Sequence, residues 1–84
     1  MNTGAQVKPM TAQRQHADLK AIGARIRQLR GDVLQEEFAA YLGLSQGHLS
    51  KIERGKWAPT VEVLVRLSER FRTTIDWIVT GKNT

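Results

Sequence analysis

From residue 18 to residue 81, apolar positions recur at spacings of three and four, and no segment alternates with a period of two. Such spacings place side chains on a common helix face, so the pattern predicts helices and no sheet. Leu19, Ile22, Ile26 and Leu29 form the first face. Asp18 is placed to cap it, Arg27 and Arg30 suit the negative end of its dipole, and Gly31 supplies the stop. A second helix is predicted from about Gln35, with Glu36 and Glu37 in its first turn, Phe38, Ala39 and Leu42 inward, and Gly43 at its end. Ser45 caps a third, running to about Arg54 and closed by Gly55. Thr60 opens a fourth, whose inner stripe reads Val61, Leu64, Leu67, Ser68 and Phe71. Thr73 or Thr74 caps a short fifth, in which Ile75 and Ile78 or Val79 pack before Gly81. The expected fold is all-α, with five short helices.

Only Gly43-Leu44-Ser45 separates the second helix from the third. A link this short, with a glycine free to adopt positive φ, turns the chain sharply, and Leu44 is placed to plug the corner. This is the geometry of a helix-turn-helix, which holds its second helix out toward a major groove. On a wheel of residues 45–54, Leu49 and Ile52 point inward. Gly47, Ser50, Lys51 and Arg54 point outward, with Gln46 and His48 on the flanks. Glu53 falls at the edge of the buried side, where a cation from the first helix is its expected partner. A glycine inside a helix costs about 1 kcal/mol relative to alanine. At the centre of the outward face, Gly47 lets a backbone approach a partner closely; the alternative is a tolerated, neutral glycine.

Composition narrows the partner. Eighty-four residues make one domain, which buries roughly 60% of the surface its unfolded chain exposes. The absence of cysteine rules out disulfides and thiolate metal sites. No apolar run approaches the ~18 residues of a membrane span, and no signal-peptide core follows the N-terminus, so a cytoplasmic protein is expected. Thirteen Lys and Arg against eight Asp and Glu give a net charge of +5 and a pI near 10.3, which puts nucleic acid first among partners. The charge is unevenly placed. Six cations and one acid leave residues 1–30 at +5, two cations and four acids leave residues 31–55 at −2, and residues 56–84 hold five cations and three acids. The excess is therefore a steering field from the flanks, not the reader. Residues 1–15 carry Lys8 and Arg14 with no acid and few apolar positions, and read as a flexible basic arm ahead of a domain over residues 16–84.

Residues 22–81 resemble the Xre/Cro-type, lambda-repressor-like helix-turn-helix family of phage and bacterial DNA-binding regulators. The likeness is carried by Ile26-Arg27-Gln28-Leu29-Arg30, Gln35-Glu36-Glu37-Phe38-Ala39, Leu42-Gly43-Leu44-Ser45 and Leu49-Ser50-Lys51-Ile52-Glu53-Arg54-Gly55-Lys56. Ile75-Asp76-Trp77-Ile78-Val79-Thr80-Gly81 is similar to the usual C-terminal helix. The resemblance implies that Gln35 clamps a DNA phosphate and buttresses the recognition helix. It implies base reading by Gln46, Gly47, His48, Ser50 and Lys51, and phosphate contacts from Gln35, Ser45, Arg54 and Lys56. It also implies an internal ion pair between Arg30 and Glu53, in agreement with the wheel. Two departures stand out: the turn from Gly31 to Leu34 is short, and Leu34 occupies the place of a capping Ser or Thr. A missing cap costs about 1 kcal/mol unless Asp32 substitutes.

The expected function is sequence-specific binding of double-stranded DNA by a transcriptional regulator, a repressor or small controller protein, acting as a homodimer on a pseudo-palindromic operator. The fifth helix and its approach are the expected dimer surface, with Trp77 and Ile78 supplying apolar area; an ordinary core position for Trp77 is the alternative. Trp57 is expected to cap the small core, ahead of a place along the DNA backbone or at a subunit contact. The competing class is a protein-interaction module, an antitoxin or adaptor, whose N-terminal arm folds on its partner. No enzyme, cofactor or small-molecule ligand is expected. Gly43-Leu44-Ser45-Gln46-Gly47 matches G-x-S-x-G, but a nucleophile elbow needs a preceding strand and triad partners. His16 and His48 lack the spacing of a metal site. Glu36 and Glu37 are adjacent in a first turn, and serve the dipole rather than acid–base chemistry.

Overall fold

The computed structural model describes residues 17–82; the basic arm of residues 1–15, and His16, lie outside the described residues. Five helices follow in order: α1 (Leu19–Arg30), α2 (Gln35–Leu42), α3 (Gln46–Glu53), α4 (Val61–Phe71) and α5 (Ile75–Thr80). No strand occurs among the described residues.

Four of the five helices start at a side-chain cap, which satisfies one of the N–H groups a helix leaves unpaired in its first turn. Asp18 accepts from the Ala21 N–H at 3.1 Å, Ser45 from His48 at 3.1 Å and Thr60 from Val63 at 3.2 Å. Thr74, rather than Thr73, accepts from Trp77 at 2.9 Å. The exception is α2. Leu34 holds the cap position with an extended backbone and no capping hydrogen bond, so Asp32 does not stand in. Because Leu34 is 65% exposed, a Leu34→Ser change sacrifices little burial and adds a cap. The expected gain is about 1 kcal/mol, read as a higher urea midpoint; an unchanged or lower midpoint would show that α2 starts elsewhere.

All five helices contribute to one core. Ile22 and Ile26 of α1, Phe38, Ala39 and Leu42 of α2, Leu49 and Ile52 of α3, Val63 and Leu67 of α4, and Ile78 of α5 are buried. Leu44 plugs the corner as expected, and Leu19, Leu29, Val33, Leu64, Phe71, Trp77 and Val79 pack around the rim. α1 lies against α3 and α5, α2 against α3 and α4, and α4 against α5. Arg25 of α1 donates through Nη1 to the Ile78 carbonyl at 2.9 Å, tying α1 to the last turn of α5. No helix among the described residues is long and apolar enough to cross a membrane.

Three expectations of burial are corrected. Val61 is 73% exposed and Val63 takes its place inside. The α4 stripe centres on Leu67, and Val61, six residues back, stands about 120° from it on a helix of 3.6 residues per turn. Ile75 is exposed, because the first position of a six-residue helix lies at the rim while Ile78, one turn on, seats centrally. Ile78 is completely buried and contributes no exposed area to a dimer. α4 also ends unannounced by glycine: Arg72 takes the left-handed conformation itself, at φ 53°.

Candidate nucleic-acid interface

The turn into α3 is closed by backbone alone. Gly43, at φ 76°, lets its own N–H reach the Ala40 carbonyl at 3.1 Å and the Leu44 N–H reach Ala39 at 2.8 Å. This paired closure satisfies the last carbonyls of α2. The far end of α3 ends the same way: Gly55, at φ 81°, donates to Ile52 at 3.0 Å, and Lys56 donates to Lys51 at 2.8 Å. α3 is thereby a defined two-turn rod, fixed to the core by Leu49 and Ile52, each worth roughly 1.5–3 kcal/mol of burial.

Behind the rod, α1 comes into backbone contact with it. A Cβ on Gly23 would collide with the Ile52 carbonyl oxygen and stand 2.6 Å from that of Glu53. Only a glycine allows this approach. Nothing in the apolar periodicity marks Gly23, because a glycine registers as a gap in the pattern.

A chain of polar contacts then runs from α1 across α2 to the outer edge of α3. Arg30 grips Glu53 with two parallel bonds, Nε to Oε2 at 2.7 Å and Nη2 to Oε1 at 2.9 Å. Its third nitrogen donates to the Val33 carbonyl at 2.9 Å. The pair is largely shielded, with 15% of the Arg30 side chain and 4% of the Glu53 side chain exposed. Hydrogen bonding to Glu53 raises the Arg30 pKa above its ordinary value; burial opposes this, and the carboxylate charge adds to it. Gln35 Nε2 donates to the same Glu53 Oε1 at 3.0 Å, and Gln46 Nε2 donates to Gln35 Oε1 at 3.3 Å. The two ends of the Gln35 amide are therefore assigned. Spending one N–H of Gln46 leaves its other N–H and its oxygen, the two groups that adenine N7 and N6 require.

Along the rest of the outer face, Gly47 is exposed with open space beyond it. Ser50 is half-buried and accepts from Arg54 Nε at 3.3 Å. Ser45 caps α3 with its hydroxyl oxygen as acceptor, which leaves the O–H to donate outward; no nucleophile elbow exists there, since a helix precedes it. Arg54 and Lys56 are exposed. A cleft of about 300 Å³ opens between the end of α1, the start of α2 and the back of this face, lined by Arg27, Arg30, Gln35, Ser50, Glu53 and Arg54. Three guanidinium groups against one carboxylate make it suited to an anionic oxygen. Arg27, assigned from sequence to the helix dipole, is the added member. Its spacing of three from Arg30 is the signal that placed it on the same face.

Trp57 is not a core cap. It is 47% exposed and leans on α3: its ring meets that of His48 edge-on at 4.9 Å, and the Lys51 ammonium lies 4.6 Å from its centroid. Trp77, by contrast, is half-buried and packs on the core.

Comparison with known proteins agrees with this architecture. No curated protein matches the chain. The P22 c2 repressor, whose crystal structure holds a synthetic operator, superposes with a TM-score of 0.65 at 28% identity, covering 73% of this chain and 96% of its own. The restriction-modification controller protein C.AhdI from Aeromonas hydrophila superposes with a TM-score of 0.61 at 25% identity, covering 73% and 91%. The helix-turn-helix family matches residues 24–78, more than half of the chain. With α2 and α3 joined as described, five helices and these two neighbours, the chain belongs to the lambda-repressor-like helix-turn-helix family.

Proposed function

We propose that this protein is a transcriptional regulator that binds double-stranded DNA sequence-specifically, with α3 as its recognition helix. The observation that carries this reading is the relay Arg30–Glu53–Gln35–Gln46. It commits a partly buried ion pair to orienting one exposed amide on a helix whose outer face is otherwise polar and nearly free of bulk. The operator-bound P22 c2 repressor, similar over 73% of this chain, supports the same conclusion. Gln46, Gly47, His48, Ser50 and Lys51 face the base edges. Gln35, Ser45, Arg54 and Lys56 hold phosphates, joined by Arg27 across the cleft. One α3 spans only a few base pairs, so two copies bind a pseudo-palindrome, with half-sites about one helical turn apart. Ile75 and the rim of Trp77, rather than Ile78, supply the apolar part of the contact between copies on α5. No catalytic role is assigned to any residue.

Selection of bound sites from random double-stranded DNA tests this reading, since a symmetric enriched motif reports both the reader and the dimer. On the selected site, Lys51→Ala is expected to relax preference at one base pair about 5- to 150-fold, the value of a good bidentate contact. Gln35→Ala weakens binding to all sequences and also relaxes the position read by Gln46, whose amide it holds. Removing Arg27, Arg54 or Lys56 reduces the slope of log affinity against log salt by about 1 each. Recovery of no motif, or a Lys51→Ala protein with unchanged affinity and preference, overturns the assignment.

A further inference from the structure

Resting on the DNA-reading role of α3, we propose that Trp57 is a specificity-determining positioning residue. Its indole clamps Lys51 and His48 so that their polar ends are ordered before DNA arrives. His48 and Lys51 are three residues apart, on one side of α3, and Trp57 bridges both. It meets the imidazole edge-on at 4.9 Å and carries the ammonium 4.6 Å from its ring centre. This contact leaves Lys51 half-buried although α3 points it outward.

The loop that places Trp57 is itself held. The Trp57 N–H points back to the Lys51 carbonyl at 3.4 Å, beside the 2.8 Å bond from Lys56 to the same oxygen. Gly55, two residues earlier, is pressed against α1 so closely that a Cβ would stand 2.7 Å from the Lys20 Cα. The indole is therefore presented by a loop braced on both α3 and α1.

Lysine carries a long stem with four rotatable bonds, and ordering such a side chain at the moment of binding reduces affinity. A ring held against the stem removes most of that loss in advance. An ammonium has three N–H groups. One side can rest on the indole face while the remaining donors reach guanine O6 and N7. Trp57 thus acts through Lys51 and His48, and need not touch a base.

The test compares Trp57→Ala, Trp57→Phe and Lys51→Ala, with the double replacement, in the full chain. In the free protein, the Lys51 ε-methylene protons are expected upfield of their usual position by the ring current, and at that position in Trp57→Ala. On the selected DNA site, Trp57→Ala lowers discrimination about 3- to 10-fold at the base pairs read by Lys51 and His48. Trp57→Phe restores most of it, because a ring remains. Once Lys51 is alanine, removal of Trp57 has no further effect at the Lys51 base pair, since the coupling runs through that side chain. The thermal midpoint of Trp57→Ala stays near that of the parent, as the ring lies outside the core.

A Trp57→Ala protein that loses affinity equally for specific and random DNA identifies Trp57 as a plain backbone contact and overturns the proposal. An absent ring-current shift does the same without any DNA measurement. If the shift is present but the unaltered protein selects no sequence, the DNA reading fails, and this role with it, while the contact itself stands.

Discussion

Gly23→Ala is expected to destabilise the domain by up to about 2 kcal/mol, although it adds a helix-favouring residue to the middle of α1. Alanine in place of glycine in a helix gains about 1 kcal/mol of propensity. Here the added methyl would meet the carbonyl oxygens of Ile52 and Glu53. These are backbone atoms of α3 and cannot rotate away as a side-chain end can, so relief requires α1 and α3 to move apart. Overpacking of this kind costs about 1–3 kcal/mol and sometimes more, against total stabilities of about 5–15 kcal/mol. Urea unfolding of Gly23→Ala beside Gly47→Ala gives the contrast directly. Gly47 has nothing within 4 Å of a built Cβ, so its alanine variant is expected to unfold at higher urea, up to about 1 kcal/mol more stable. Equal midpoints for the two variants would show that α1 and α3 do not touch through their backbones. Gly23→Ala is also expected to weaken binding to every DNA sequence, since it displaces the recognition helix as a body.

The second large effect is at Glu53. Glu53→Gln preserves shape but removes the one carboxylate that, among the described residues, lines the cleft and faces Arg30. Breaking a buried pair by neutralising one partner costs about 3–5 kcal/mol; with Arg30 still 15% exposed, the low end, about 3 kcal/mol, is expected. Replacing both partners together, Arg30→Met with Glu53→Leu, is expected to cost less than Glu53→Gln alone, because no uncompensated charge remains. A single variant that unfolds at the parental urea concentration would sink the idea. The Arg30 pKa is raised in the folded state, so its contribution is complete below the unfolded value and is lost only as pH rises through the folded one. Both lie in the strongly alkaline arginine range, and Arg30 adds no pH dependence to stability near neutrality. Glu53→Gln also reaches the outer face of α3, because the amide keeps a single oxygen for which Arg30 and Gln35 compete, so Gln35, and through it Gln46, is held less firmly.

Helix boundaries were legible in the sequence because caps and stops are local chemistry. Asp18, Ser45 and Thr60 perform the capping that their positions announce, and Gly43 and Gly55 end their helices in the left-handed region. The pairing of Glu53 with Arg30 was also accessible, since a wheel places a charge at the edge of a buried face and asks for its partner. What the chain did not disclose depends on how the helices meet. Val61 and Val63 are both valines near the start of α4, and only the angle at which that helix lies on the core decides which one is covered. Trp57 sits in a loop with no periodicity, so its partners on α3 were invisible before the loop was placed. Gly23 was missed for the same reason it matters: it contributes no side chain to any pattern.

The near-separation of duties on α3 bears on how such a protein changes over time. Leu49 and Ile52 face the core, whereas a side chain at Gly47 would extend into open space. A lineage can therefore rewrite the outer residues of this helix, and drift toward a new target, with little disturbance to folding. Gln46 and Lys51 are the foremost exceptions, because each leans on a residue outside the helix, Gln35 and Trp57, and His48 shares the Trp57 contact. Innovation at either site is expected to arrive as a paired substitution, and comparison of diverged relatives should find those two couples changing together.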